Sequence, residues 1–504
     1  MTGSTLRGLA LRTLLPAFPG TLPPEWALRL AREGLGGFAL FGYNIADTDQ
    51  IAELTAQLRS ARPDVIVAID EEGGDVTRLC YAHGSPYPGN AALGVVDDVD
   101  LTHGIYRAIG DELAAVGITL DMAPAVDVNS ADDNPAIGTR SFGADPQRVS
   151  AHAAAAVNGL QAAGVAACAK HFPGHGATEM DSHIGLPVVD ATEELLWRRE
   201  LPPFQAAIAA GVRAVMTAHI RVPVLTGDLP ATFSSDALIG LLRKELGFTG
   251  AIVSDALEMQ GASGHIGLPE AAVRALVAGN DLLCFGGELP KTPHVVLEII
   301  EATADAIVDA VHAGRLTADR LDEAAARNAT LAGTNPSGAA HSHLNGHIPD
   351  LGMAAARRAL RIEGTLPPLV GSLVVQLEPP SSVAVGDVPW GLAPQLPGVE
   401  TLRMADPVTG AAFGDGGGTG PSLVDSIASR AEGRPVVVVS RDTHRHPWAR
   451  ALVEALSARH PAVVLVEMGW PAAWRPAGAL AYVATYGAAR ANARAAAEVL
   501  LPPL

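Results

Sequence analysis

Along the first two thirds of the chain, short runs that are apolar at nearly every position alternate with longer stretches of helical periodicity. The short runs are ALRTLL (10–15), GGFALF (36–41), VIVAID (65–70), GITLDM (117–122), GVAACAK (164–170), VRAVMTAHI (212–220), GAIVSDA (250–256) and NDLLCF (280–285). Runs apolar on both faces suit strands of a buried parallel sheet. Between them, SSDALIGLLRKELG (234–247) opens on a capping serine and sets Leu238, Leu241, Leu242 and Leu246 on one helical face. It stops at Gly247. The helices before Gly164 and Gly211 are expected to end in the same way. Eight strands alternating with helices predict an α/β fold, a (β/α)8 TIM-type barrel over residues 1–335. A doubly wound sheet is the rival that counting alone leaves open. Polar residues favour the barrel: Asp70, Asp121, Lys170, His171, His219 and Asp255 each follow an apolar run directly. A barrel gathers those carboxyl ends into one mouth.

Past the barrel the pattern breaks. GTNPSGAAHSHLNGH (333–347) is rich in Gly, Ser, Asn and His and reads as a linker, assigned to 336–348. Its histidines belong to a solvated linker rather than a metal site. Strand-like GSLVVQLE, PVVVVSR, PAVVLVEMG and LAYVATYG then alternate with helix-like ARALVEALSARH and AARANARAAAEVL. They predict a smaller α/β sandwich domain over 349–504. GAAFGDGGGTGPS (410–422) has no lysine at P-loop spacing and reads as a flexible loop.

Composition narrows the class. With 504 residues, 48% hydrophobic and 18% charged, the chain is globular, with room for two or three cores. Its net charge of −19 and lack of a basic stripe argue against nucleic acid as a partner. No apolar stretch reaches membrane-spanning length, and the N-terminus lacks a signal-peptide pattern. The expectation is a cytoplasmic protein with no membrane partner. Cys80, Cys168 and Cys284 form neither a disulfide framework nor a ligand set; Cys168 and Cys284 read as core thiols.

The densest chemistry is KHFPGHGATEMDSH (170–183). Pro173 and Gly174 deny it a helix, so it is a loop leaving the strand GVAACAK. His171 and His175 have metal-pair spacing, but four residues face one way only on a helix, and a zinc site is disfavoured. In Asp181-Ser182-His183, an acid two residues from a histidine can fix its tautomer and raise the basicity of the other ring nitrogen. On spacing alone, a plain Asx turn is the stronger reading of the same tripeptide. Asp255, the first acid after a buried strand, is placed to act as nucleophile or base, or to cap a helix on ALEM. DEEGGDVTR (70–78) and Arg140 in DDNPAIGTRSFG bring acids and arginines that suit a hydroxyl-rich ligand.

KHFPGHG followed by DSH, with SDALEM, DEEGG and NPAIGTRSFG, resembles glycoside hydrolase family 3, in its β-N-acetylhexosaminidase branch. The resemblance spans the first domain; the smaller domain is similar to the α/β sandwich of two-domain members. It implies a retaining exo-β-N-acetylglucosaminidase working through a covalent glycosyl-enzyme. Asp255 would be the nucleophile, His183 the acid/base on a mobile loop and Asp181 its dyad partner. Asp70, Arg78, Arg140, Lys170 and His171 would bind the sugar. No metal or organic cofactor is implied. The partner would be a small saccharide ending in β-linked N-acetylglucosamine, from peptidoglycan recycling or chitin.

Two departures stand out: Glu71 and Asp75 replace an amide and often a base of the usual motif, and Ala177 follows GHG. Rival readings are a phosphorylase, because a neutral histidine repels phosphate less than a carboxylate does, and a barrel that only binds sugar. Loss of Asp255, His183 or Asp181 would signal the latter, and all three are present. Catalysis by the substrate's own acetamide wants a carboxylate pair that these motifs do not resemble.

Overall fold

The computed structural model describes residues 3–182, 185–287, 292–332, 349–406 and 421–500. Two compact units divide the chain. The first takes Met1–Glu72, Val99–Ile137 and Ser141–His347; the second takes Gly73–Asp98, Gly138–Arg140 and Ile348–Leu504. The second therefore includes two segments that sequence alone places within the barrel domain. The expected linker at 336–348 and residues 410–420 of the glycine-rich stretch lie outside the described residues.

In the first unit every expected run yields a strand. They are β1 (Leu14–Pro16), β2 (Gly37–Leu40), β3 (Ile66–Ile69), β4 (Leu120–Asp121), β5 (Ala166–Phe172), β6 (Ala214–Thr217), β7 (Ala251–Ser254) and β8 (Leu283–Phe285). Parallel ladders join β2 through β7 in sequence order. A parallel bridge between Val253 and Leu282 carries the sheet to β8, which pairs with β1. Closure shows in the interior. Leu15, Ala39, Ala68, Leu120, Cys168, Met216, Val253 and Cys284, one from each strand, pack in one buried cluster. Alanines at 39, 68, 166, 214 and 251 fit the narrow bore of an eight-stranded barrel. The fold is a (β/α)8 TIM-type barrel. Cys168 and Cys284 are buried free thiols within it.

The helix at Asp236–Glu245 departs from expectation in its winding. It is a π-helix, with Leu246 N donating to Leu241 O, five residues back. The wider turn rotates Leu246 off the apolar face: Leu238, Leu241 and Leu242 are buried, whereas Leu246 is half-exposed. Ser234 still serves the N-terminus, its Oγ accepting from Ala237 N, and Gly247 ends it at φ 70°.

The second unit carries a six-stranded sheet. Its strands are β9 (Arg361–Gly364), β10 (Leu373–Glu378), β11 (Thr401–Ala405), β12 (Val436–Ser440), β13 (Val463–Glu467) and β14 (Ala481–Ala484). The order is β11-β10-β12-β13-β14-β9, parallel except for the antiparallel edge strand β9. Alternation along the central strands serves two cores. Val437, Val439, Val464 and Val466 pack with Ala493, Ala496 and Leu500 of the helix Arg490–Leu500. Val436, Val438, Val463 and Leu465 pack with helices Pro421–Ala431 and Pro447–Arg459 through Ile427, Leu452 and Leu456. Both faces are covered, which makes this unit the expected α/β sandwich.

Candidate active site

Strand alternation sets the mouth of the barrel. Ala68 of β3 and Cys168 of β5 point inward, so Asp70 and Lys170, two positions further on, continue along the same inner side. They meet there: Lys170 Nζ lies 2.6 Å from Asp70 Oδ1 and 2.7 Å from Glu72 Oε1. The lysine is 1% exposed and Glu72 is nearly as buried, whereas Asp70 keeps partial access to solvent. A buried ammonium shared by two carboxylates is held in place by charge-assisted hydrogen bonds on both sides. Sequence alone gives Glu72 no partner, although its i, i+2 relation to Asp70 in an extended segment was the available signal.

β5 runs to Phe172, two residues past the predicted run, so Lys170 and His171 sit on the strand rather than in a loop. A second carboxylate organises the turn that follows. Asp127, fully buried in APAVDVNS, accepts from His171 N at 3.2 Å and His175 N at 2.7 Å through Oδ1. Its Oδ2 lies 2.8 Å from His171 Nδ1. The two histidines and those hydrogen bonds hold the Asp127 carboxyl below its ordinary range against the cost of burial. Sequence reasoning missed Asp127; the signal was a lone acid inside an apolar run just after β4. Close approach fixes the rest of the turn. A Cβ at Gly176 would lie 2.0 Å from Val128 O. Asn134 Nδ2, from NPAIG, donates to His175 O at 2.9 Å.

His171 and His175 each face protein partners. Their rings meet edge to face, and His175 Nδ1 and Nε2 face the Thr178 and Ser182 hydroxyls at 2.7 and 3.3 Å. Among the described residues no group of three His, Cys, Asp or Glu is placed to hold a metal. Burial, with His171 close by, lowers the His175 pKa from 6.5 to about 4, against the pull of Asp127 and Asp255. His175 is therefore a neutral anchor for Ser182. A depressed histidine contributes stability that is full above its unfolded pKa of 6.5 and drains away as pH falls from 6.5 towards 4. The loss is expected to be on the order of 3 kcal/mol. Urea unfolding of wild type and His175→Gln at pH 7.5 and 4.5 checks it. Equal pH slopes for the two proteins would refute the assignment.

Asp181 and Ser182 are buried, and Gly261 N donates to Ser182 O at 3.3 Å, tying this segment to the stretch after β7. His183 lies outside the described residues. Asp255 follows β7 directly and is half-buried; its N–H donates to Thr217 O at 3.2 Å, and its Oδ1 accepts from Ala256 N at 2.8 Å. No helix forms on ALEM; the next begins at Gln260, so Asp255 is not a helix cap. His219, after β6, steadies this stretch with Nε2 at 3.0 Å from Ala256 O. Arg78 and Arg140 belong to segments of the second unit, where Arg78 Nη2 donates to Ala384 O at 2.8 Å and Arg140 O accepts from Asn90 Nδ2 at 2.7 Å.

Ionisable side chains on the ends of β3, β5 and β7 of one parallel barrel are the layout of a (β/α)8-barrel enzyme. Residues 23–331 match the glycosyl hydrolase family 3 N terminal domain, and the chain belongs to that family. It is 36% identical over 333 residues to a protein named beta-hexosaminidase A from Pseudoalteromonas piscicida, covering 62% of this chain and 55% of that protein. The chain thus spans little more than half the length of this relative. A beta-hexosaminidase of Methylococcus capsulatus is 38% identical over 277 residues, covering 54% of this chain and 80% of its own length. Among solved structures, a glycoside hydrolase family 3 beta-N-acetylglucosaminidase from Paenibacillus sp. str. FPU-7 superimposes with a TM-score of 0.83. It is 31% identical and is covered to 96%, with 98% of this chain. No described helix is long and apolar enough to cross a membrane.

Proposed function

We propose that the protein is a retaining exo-β-N-acetylglucosaminidase acting on small saccharides that end in β-linked N-acetylglucosamine. The observation that carries the reading is the placement of Asp255 at the end of β7, in the barrel whose β3 and β5 present the Asp70–Lys170–Glu72 group. The names of the two beta-hexosaminidases and of the Paenibacillus enzyme support it.

In this reading the Asp255 carboxylate attacks the anomeric carbon and forms a glycosyl ester. His183, paired with Asp181, gives its proton to the departing oxygen. The same histidine then takes a proton from water, which attacks the ester and releases the sugar with retained configuration. A histidine replaces the second carboxyl of the usual pair; its ordinary pKa near 6.5 already suits proton transfer close to neutrality. His175 holds Ser182, the residue between the two members of the dyad. Asp70, Arg78, Arg140, Lys170 and His171 bind the sugar hydroxyls. Recycled wall fragments or chitin-derived disaccharides fit such a substrate, and the acidic composition and three free thiols suit a cytoplasmic setting.

Product analysis with a chromogenic N-acetylglucosaminide, with and without millimolar phosphate, tests the proposal. The expected result is free N-acetylglucosamine at a rate that phosphate leaves unchanged. A sugar 1-phosphate formed at a phosphate-dependent rate would overturn hydrolysis in favour of phosphorolysis.

A further inference from the structure

Asp75 is an acid that no step above uses, and it sits where three parts of the second unit converge. Its Oδ2 accepts from the Thr139 hydroxyl at 2.7 Å, and its Oδ1 accepts from Ala488 N at 2.7 Å, just past β14. Only 8% of it is exposed. Burial raises its pKa, while the Arg441 guanidinium and the two hydrogen bonds oppose the rise, with Asp442 as the other charge nearby. Arg441 is itself fixed, stacked 4.9 Å from the Trp390 ring centre and bonded to Ser381 Oγ at 3.0 Å.

One arm of this carboxylate leads to a candidate sugar-binding residue, and its own segment carries another. Thr139 immediately precedes Arg140 in a three-residue 3-10 turn, Gly138–Arg140. Asn90 grips the same turn at Arg140 O. On the other side, Asp75 lies three residues before Arg78 in a segment tied at several points to the sandwich. Arg78 donates to Ala384 O, Asp387 N donates to Tyr81 Oη at 2.8 Å, and Ala491 N donates to Ser85 O. Gly74 and Gly89 back onto each other so closely that a Cβ on Gly74 would lie 2.5 Å from Gly89 Cα. Within the second unit, one carboxylate thus fastens the Arg140 turn and the Arg78 segment to the end of the same sheet.

We propose that Asp75 is a positioning residue that sets Arg78 and Arg140 for sugar binding. The inference rests on the reading that Arg78 and Arg140 hold the sugar. A side chain acting this way changes how well substrate is held and leaves the chemical step largely intact.

The test uses the full chain with Asp75→Ala, Thr139→Val and the double variant. Asp75→Ala is expected to raise KM for a chromogenic N-acetylglucosaminide about tenfold with kcat held within about threefold. Thr139→Val, which keeps the shape and removes the hydroxyl, gives a smaller rise. The double variant is no worse than Asp75→Ala, because that change already removes the tie to Thr139. Hydrogen exchange over 138–140 is expected to quicken in all three. An unchanged KM with activity falling only as the folded fraction falls, or unchanged exchange in the Thr139→Val protein, overturns the proposal. Should Asp75→Ala fail to fold, Thr139→Val decides. Should the wild type not turn over this substrate, the functional reading fails while the exchange measurement still judges the tie.

Discussion

Asp255→Ala is expected to lower kcat for a chromogenic N-acetylglucosaminide by on the order of 10⁴ while leaving the fold intact. Removing this carboxylate deletes the group that would form the covalent intermediate. The side chain is half-buried at the end of β7, and its Oδ1 accepts from the next residue's amide. No strand ladder depends on that bond, so the variant should unfold like wild type. The chemistry gives a sharper sign than the rate alone. With the carboxylate gone, a small anion such as azide can attack the anomeric carbon from the vacated side in a single displacement. The product is then an α-glycosyl azide, inverted relative to the β-substrate. His183→Ala should behave differently. It forms the ester from a substrate with a good leaving group, stalls before hydrolysis, and gives the β-azide through two displacements. An Asp255→Ala protein that retains wild-type turnover, or yields the β-azide, would remove Asp255 from the nucleophile's role.

The positions at the mouth were legible because the strands that carry them are buried on both faces. VIVAID, GVAACAK and GAIVSDA announce β3, β5 and β7, and the first polar residue after each run marks the mouth. The edge strands β9 and β11 were not legible. β9 is exposed along its length and β11 is mostly half-exposed, and edges of this kind carry charge instead of apolar periodicity. RIEG spends Glu363 on Arg475, 112 residues away. Burial-driven pattern cannot announce a strand that buries little.

The carboxylates that organise the site were hidden for another reason. Asp127 acts through His171, 44 residues away, and Glu72 through Lys170 on a different strand; no local spacing encodes such pairs. The same holds for Asp75, whose partner Ala488 lies 413 residues on. His171 and His175 gave a visible spacing that does not reveal their partners. Four residues apart suggests a shared ligand, but β5 and its turn send the two rings to Asp127 and Thr178. What decides a histidine's role here is the acceptor it meets, and the fold chooses that acceptor.

Lys170→Met should be the most damaging single change to stability in the barrel. The methionine fills much of the same volume, so packing loss is small, but Asp70 and Glu72 are left facing each other without the ammonium that sat 2.6 and 2.7 Å away. Glu72 has only 2% of its side chain exposed, so water cannot take the place of the missing cation. Breaking a buried ion pair by deleting one partner costs about 3–5 kcal/mol, most of it the charge left behind. The companion variant Glu72→Gln isolates that term. In its background, Lys170→Met strands one carboxylate instead of two, and that one, Asp70, keeps partial access to solvent. The second substitution should then cost less than half of what it costs in wild type. Urea unfolding of the four proteins of this cycle, at pH 6 and pH 8, measures the coupling directly. Equal costs in both backgrounds would mean that Glu72 does not share the lysine's charge and that Asp70 alone holds Lys170 in the mouth.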